Sequence, residues 1–437
     1  MHPSGLVHIL CYMITTTSFR CAAAALRLFL GGWSPHADSF DQRLTGICLS
    51  AYSAYSSRRY LVDRIHRLRN TGVASIVTLI ATATNTTFCS EVRCQKRTFN
   101  RILIAIRDHP VFNCTPQNPQ HPLEVQLLIF LYRAGRVALS LASVSVHYGI
   151  SIGSVLNCST RVIVALNAAA PTFISWPTPA ERIVIKQEFV HGTETRPPHP
   201  GFDECIGTLD CTQVFLTTRP EGIVHPDGTR NSAFPLPYMS ARFKRYSIVT
   251  LAVVDSNGYF RFVDCGWPGS VHDSRVFRAG PFAQPMPGTF APGEYLLADK
   301  GFVSTPNVVA CYKKPRNAEE SPENMRFNHF VAAGRVIIEH NFGVLKGRWR
   351  SLQSLALRIR ESHGAQDQQA VVNWIMATIV LHNMCLVFQD TTPIEKWRSK
   401  DEVEIEEYAY EPLGGGMPGP DFREALKLRV LAANVGL

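Results

Sequence analysis

The chain has no apolar run near its start long enough to cross a bilayer, which takes about 20 residues. The apolar patches between Gly5 and Leu30 are broken by Arg20 and Arg27. No membrane anchor is expected. A secretory signal carries its basic residues before one unbroken apolar core, and here the arginines come late. Zinc-type cysteine spacing is missing too. The twelve cysteines are scattered, and the closest pairs, Cys89 with Cys94 and Cys205 with Cys211, lack the Cys-x-x-Cys plus Cys/His pattern. They read as reduced thiols in an intracellular protein. Acidic residues are in deficit: 35 Asp and Glu against 44 Lys and Arg leave a net charge of +9. That balance favours a polyanionic partner, because Lys and Arg displace counterions from phosphate.

With 46% hydrophobic and 18% charged residues the chain is folded rather than disordered. Its 437 residues suggest two or three domains. Residues 1–85 read as a poorly defined region. They include a basic segment, Arg58 to Arg69, which fits a phosphate-binding or nuclear-targeting stretch or the solvated side of a helix carrying Leu61, Ile65 and Leu68. Residues 86–170 read as helical. Leu123, Leu127, Leu128 and Leu131 form one stripe, and a helix over 139–148, a turn at Gly149 and an N-cap at Ser151 before Ile152 to Leu166 outline a helix-turn-helix. In that outline Ser151, Ser154, Asn157 and Arg161 are the side chains that would reach base edges, and a plain helical hairpin is the other reading.

Residues 171–201, rich in proline, read as a linker holding one helix or strand. Then β-rich runs appear at Ile206–Asp210, Val214–Thr217, Tyr246–Val254 and Tyr295–Ala298, with a turn at Asp255–Gly258, which predicts a mixed sheet flanked by helices over residues 202–388. Val371 to Cys385, apolar nearly all round, reads as a buried helix, and residues 389–437, with Asp401 to Glu407, as an acidic solvated tail.

Asp210 and Asp299 each end a predicted strand, where a carboxylate is costly unless it is paired or holds a cation. Glu339 lies on a basic helix, with Arg335, Phe342 and Lys346 on its stripe. Two Asp and one Glu supply the hard oxygens that magnesium takes, while Lys346, Arg348 and Arg350 are placed to hold a phosphate backbone.

Several blocks occur together in one order: Leu209-Asp210-Cys211-Thr212-Gln213, then Pro268-Gly269-Ser270-Val271-His272-Asp273-Ser274-Arg275, then Leu297-Ala298-Asp299-Lys300-Gly301-Phe302. Glu339-His340-Asn341-Phe342-Gly343 and Leu381-His382-Asn383-Met384 close the series. From about Gly207 to Cys385 the chain resembles the DDE nuclease domain of Harbinger transposases and their transposase-derived nuclease relatives. The resemblance implies a ribonuclease-H-like α/β fold, and it puts the catalytic, metal-holding acids at Asp210, Asp299 and Glu339. It implies a divalent metal, magnesium with manganese as substitute, and cleavage of DNA phosphodiester bonds with strand transfer as an extension. A Myb-like DNA-binding protein as partner, self-association and a nuclear location go with it.

His272, Asp273 and Arg275 belong to the signature as helix-capping residues or as residues supporting the acids from behind, and Arg335 joins the phosphate-binding cations. The chain departs from the family pattern at Cys211 and Gln213, where Gly and His are usual, and at Lys300, a like charge beside a metal ligand. The competing readings are a domesticated module that binds DNA or protein without cutting, and a ribonuclease acting on RNA duplexes.

Overall fold

Ser247 to Val254, apolar or hydroxyl-bearing throughout, is buried at every position and forms most of strand β3 (Arg245–Val254) in the computed structural model. The structure describes residues 72–114, 119–193, 196–224, 229–283, 288–315, 319–392 and 420–435. The expectations for Gly5–Leu30, the basic segment 58–69 and the acidic run 401–407 lie outside the described residues.

Strand β3 pairs antiparallel on one side with β1 (Cys205–Phe215) and on the other with β4 (Phe260–Pro268). Two residues of β2 (Met239–Ser240) join the start of β3. On the far side of β1, the short strands β5 (Tyr295–Ala298) and β6 (Val308–Ala310) run parallel to it. The result is a mixed sheet with helices on both faces, the ribonuclease-H-like arrangement expected.

Two expectations are corrected. β1 does not stop at Asp210 but continues for five more residues, so this acid sits inside a strand. β4 was not foreseen, because Arg261, Asp264 and Gly266 interrupt its apolar alternation.

One face of the sheet packs with α8 (Asp273–Ala279) through Leu209, Leu251, Val276 and Phe277. The other face receives α9 (Pro322–Arg348) and α10 (Gly364–Val387) through Val254, Leu297, Val331, Ile338 and Trp374. Gly334 lets α9 come close to β5: a Cβ there would stand 2.8 Å from Leu297 Cδ1.

The preceding helices are α1 (Gly72–Thr82), α2 (Asn85–Val92), α3 (Lys96–Ile106), α4 (Leu123–Ala134), α5 (Leu141–Tyr148) and α6 (Ile152–Ala168). α4 is buried from Val125 onward and carries α1, α2, α3 and α6 around it. α5 and α6 meet at 105°, with Gly149 at φ 62° and Ser151 capping α6, which is helix-turn-helix geometry. Within 171–201 the structured element is a helix, α7 (Pro179–His191), opened by a capping box of Thr178 and Glu181. α10 packs against both α6 and β4, so the helical segment and the sheet share one core. It has the length and hydropathy of a membrane span, but 67% of its apolar window is buried inside the fold.

Two parts of the expected terminal regions are ordered helices. Residues 72–82, placed in the poorly defined start, form α1. Residues 420–433, placed in the acidic tail, form α11 (Pro420–Ala433), where Leu426 and Val430 are buried and Lys427 pairs with Glu424 and donates to Asn324. One helical turn separates Leu426 from Val430, enough for a docking stripe.

The His382–Asn383 block is structural. The Asn383 amide accepts from Phe260 N at 3.0 Å and donates to Phe260 O at 2.8 Å and to Phe173 O at 2.7 Å, tying the start of β4 to α10. Asn383 is fully buried, so Asn383→Ala leaves buried backbone groups without partners. The expected loss is about 3 kcal/mol of stability, read as a lower denaturant midpoint at unchanged slope.

Candidate active site

The three acids come from three elements and meet on one guanidinium. Asp210 points from β1 toward α9, Asp299 follows the last residue of β5, and Glu339 lies one turn after Arg335 on α9. Arg335 Nη2 donates to Asp210 Oδ2 at 2.8 Å, its Nη1 stands 3.5 Å from Asp299 Oδ1, and Nη2 lies 3.5 Å from Glu339 Oε1. Asp210 and Glu339 therefore share a single nitrogen. The cation side chain is only 7% exposed, whereas exposure of the acids rises from 18% at Asp210 to 42% at Asp299 and 54% at Glu339. The cluster thus opens from a buried arginine toward solvent.

A fourth carboxylate approaches from the opposite face. Cys211 follows Asp210 on β1, so its side chain leaves the sheet on the α8 side, where the charge of Asp273 bears on its thiol. Burial pushes the Asp210 carboxyl up to about 7, with Arg335 opposing and Asp273 and Asp299 adding to the rise. Asp273 is also raised, first by burial, with His272, the Cys211 thiol and Arg242 opposing and Asp299 adding. Burial, then Asp273 and Asp210, lift the Cys211 thiol well above its ordinary range.

A carboxyl raised in the folded state favours folding below its unfolded value of 3.8, and that contribution is lost as pH rises toward about 7. In chelator, the wild type should lose stability relative to Asp210→Asn between pH 4 and pH 7.5. Parallel melting curves for the two proteins across that range would contradict the assignment.

Arg335 and Arg348 were expected on a phosphate backbone, and the structure corrects both. Each is buried: Arg335 is held by the acids, and Arg348 pairs with Asp390 at 3.3 Å. Asp390 in turn accepts from Gln95 N, so this pair locks the end of α9 to the start of α3. Lys346 is half-buried and Arg350 exposed. His272, rather than Asp273, caps α8 by accepting from Ser274 N, and Arg275 is exposed. On α6, Ser151 is occupied in capping and bonds Ser154. Asn157 is exposed, Arg161 is half-buried, and exposed Ile152, Leu156 and Val164 make much of that helix's surface apolar. Asp273 beside Cys211 was the least visible feature in sequence, since a signature acid reads equally as a cap.

A hard divalent cation fits these residues by donor chemistry. Three carboxylates from separate elements already converge on one positive charge, and oxygen-only donors are what magnesium and manganese take. Among the described residues, no three His, Cys, Asp or Glu side chains stand close enough to ligate one ion. Arg335 is the group that holds the acids together.

Residues 209–383 match the family model described as DDE superfamily endonuclease. The chain has distant relatives among known proteins. It is similar to Protein ALP1-like of Arabidopsis thaliana, 23% identical over 70% of this chain and 72% of that protein. It is similar also to HARBI1 of Xenopus laevis, whose name proposes a nuclease, at 26% identity over 61% of this chain and 68% of the relative. Human HARBI1 is 27% identical over 54% of this chain and 60% of its own length. No solved structure matches the chain.

Proposed function

We propose that this protein is a divalent-metal-dependent endonuclease that hydrolyses DNA phosphodiester bonds, with Asp210, Asp299 and Glu339 holding the metal. The observation that carries the reading is the convergence of these three acids, from β1, β5 and α9, on Arg335. A bound divalent cation supplies Lewis acidity and lowers the pKa of its water. The protein's part is to gather the negative charge at the end of β5, open to a polyanionic strand on the side of Asp299 and Glu339. Arg335 keeps the acids from driving one another apart, and Asp273 adds negative charge from behind the sheet.

The net positive charge supports DNA as the partner. Because the surface of α6 is largely apolar, sequence recognition falls to a separate Myb-like DNA-binding protein. Self-association, a nuclear location and strand transfer belong to the same reading. Nicking of DNA and RNA duplexes, each with magnesium, manganese or chelator, tests it: DNA alone should be cut, and only with metal.

A second reading draws on Arg335 itself. A guanidinium that already offsets part of the acids' charge suits a domain that binds DNA and has stopped cutting it. DNA binding without nicking under any metal condition would establish that alternative.

A further inference from the structure

Arg133, in the last turn of α4, is a buried cation with no anion. It is 5% exposed, its Nε has no hydrogen-bond partner, and it makes no ion pair among the described residues. Its guanidinium lies over the Trp374 ring, 4.7 Å from the centroid. A ring face attracts the charge but accepts no hydrogen bonds from the guanidinium edge. Other deeply buried arginines are matched: Arg335 by three acids, Arg348 by Asp390 and Arg182 by Glu294. Burial alone lowers the Arg133 pKa to about 10. A buried charge of this kind is costly unless something outside the chain pairs with it.

Arg133 lines a small cleft together with Arg136, Ser351, Leu355 and Trp374. Arg93 packs on Gly135 beside it and is held down to about 10 by burial, then by Arg136 and Arg350, with Glu91 opposing. Glu91 pairs with Arg136 at 3.1 Å, and Arg350 is exposed and makes no ion pair among the described residues. Cations therefore outnumber carboxylates around the cleft. Its size suits one oxygen of an anion rather than a whole nucleotide. Arg350 follows the C-terminal end of α9, about 14 Å along that helix from Glu339 at a rise of 1.5 Å per residue.

We propose that this cleft is an anion site that takes a phosphate of a nucleic-acid backbone, with Arg133 as its buried anchor and Arg136 and Arg350 at its rim. The anion site rests on Arg133. The choice of nucleic acid rests on the endonuclease reading above.

Arg133→Met keeps the apolar stem and removes the charge, and Arg350→Ala alters only the exposed rim. With inorganic phosphate as probe, compared with chloride at matched ionic strength, the wild type should melt about 3 °C higher in phosphate. Arg133→Met should lose that gain while melting no lower than wild type in chloride, and Arg350→Ala should show a reduced gain. In chelator, Arg133→Met should bind a DNA duplex about tenfold more weakly, with the slope of log affinity against log salt reduced by about one.

If the phosphate gain disappears in Arg133→Met but its DNA affinity and salt slope match wild type, the site takes a free anion and the nucleic-acid assignment is overturned. Equal phosphate gains in wild type and both variants would remove the site altogether. If Arg133→Met does not fold, an unchanged phosphate gain and DNA affinity in Arg350→Ala overturn the proposal. None of these measurements depends on cutting, so a failure of the endonuclease reading would be seen separately in the nicking assay.

Discussion

Asp299→Asn should lower metal-dependent nicking of duplex DNA by at least about a thousandfold, equivalent to about 4 kcal/mol of lost transition-state stabilisation. The substitution keeps size and hydrogen bonding and removes the charge a hard cation requires. Asp299 is the cleanest of the three acids for this test. It is 42% exposed and reaches Arg335 only at 3.5 Å, so its part in folding is small. Asp210, closer to Arg335 and more buried, would mix a stability change into the result. Melting temperature and DNA affinity in chelator should stay near wild type for Asp299→Asn. A variant that nicks at the wild-type rate would remove Asp299 from the metal site. A wild type that cuts no duplex, with a Myb-like partner present, would transfer the protein to the binding reading.

The acids could be read from sequence because each sits in a block with its own local logic: a strand ending in Asp299, a helix carrying Glu339, and an ordered series around them. What sequence did not give was decided by tertiary contacts. A strand reading stops at Asp210 because a carboxylate inside a sheet is tolerable only when a cation faces it, and that cation lies 125 residues away on α9. On α9, Val336, Ile337, Ile338, Val344 and Leu345 spread apolar residues around the helix, so no stripe tells inside from outside. Arg335 and Arg348 consequently look like surface cations in sequence, and both turn inward. α11 escapes notice because its apolar residues, with buried Leu426 and Val430 beside exposed Leu428, mark no clear inner face beyond a long acidic segment.

Replacing Arg335 by Met should separate the charge balance of the site from its chemistry. In chelator the variant leaves Asp210, Asp299 and Glu339 without their common cation, and breaking a buried pair on one side is strongly destabilising. Glu339 and Asp299 are exposed enough for water to screen them, so most of the loss comes from Asp210, and about 3 kcal/mol is expected above pH 7, where Asp210 is ionised beside Arg335. The wild type, with part of the acids' charge already offset by Arg335, should gain a modest amount of stability from manganese. Arg335→Met should gain much more, because the added cation then replaces a missing charge and binding to the folded state raises its stability. Arg335→Lys keeps the charge without the two-pronged geometry that reaches three acids at once, and should fall between them. The measurement is the shift in melting temperature between chelator and manganese for the three proteins, with no substrate present. Equal shifts in all three would mean that Arg335 does not act as the counter-ion of the acid cluster. A larger shift in Arg335→Met would mark the same carboxylates as metal ligands by a route independent of cleavage.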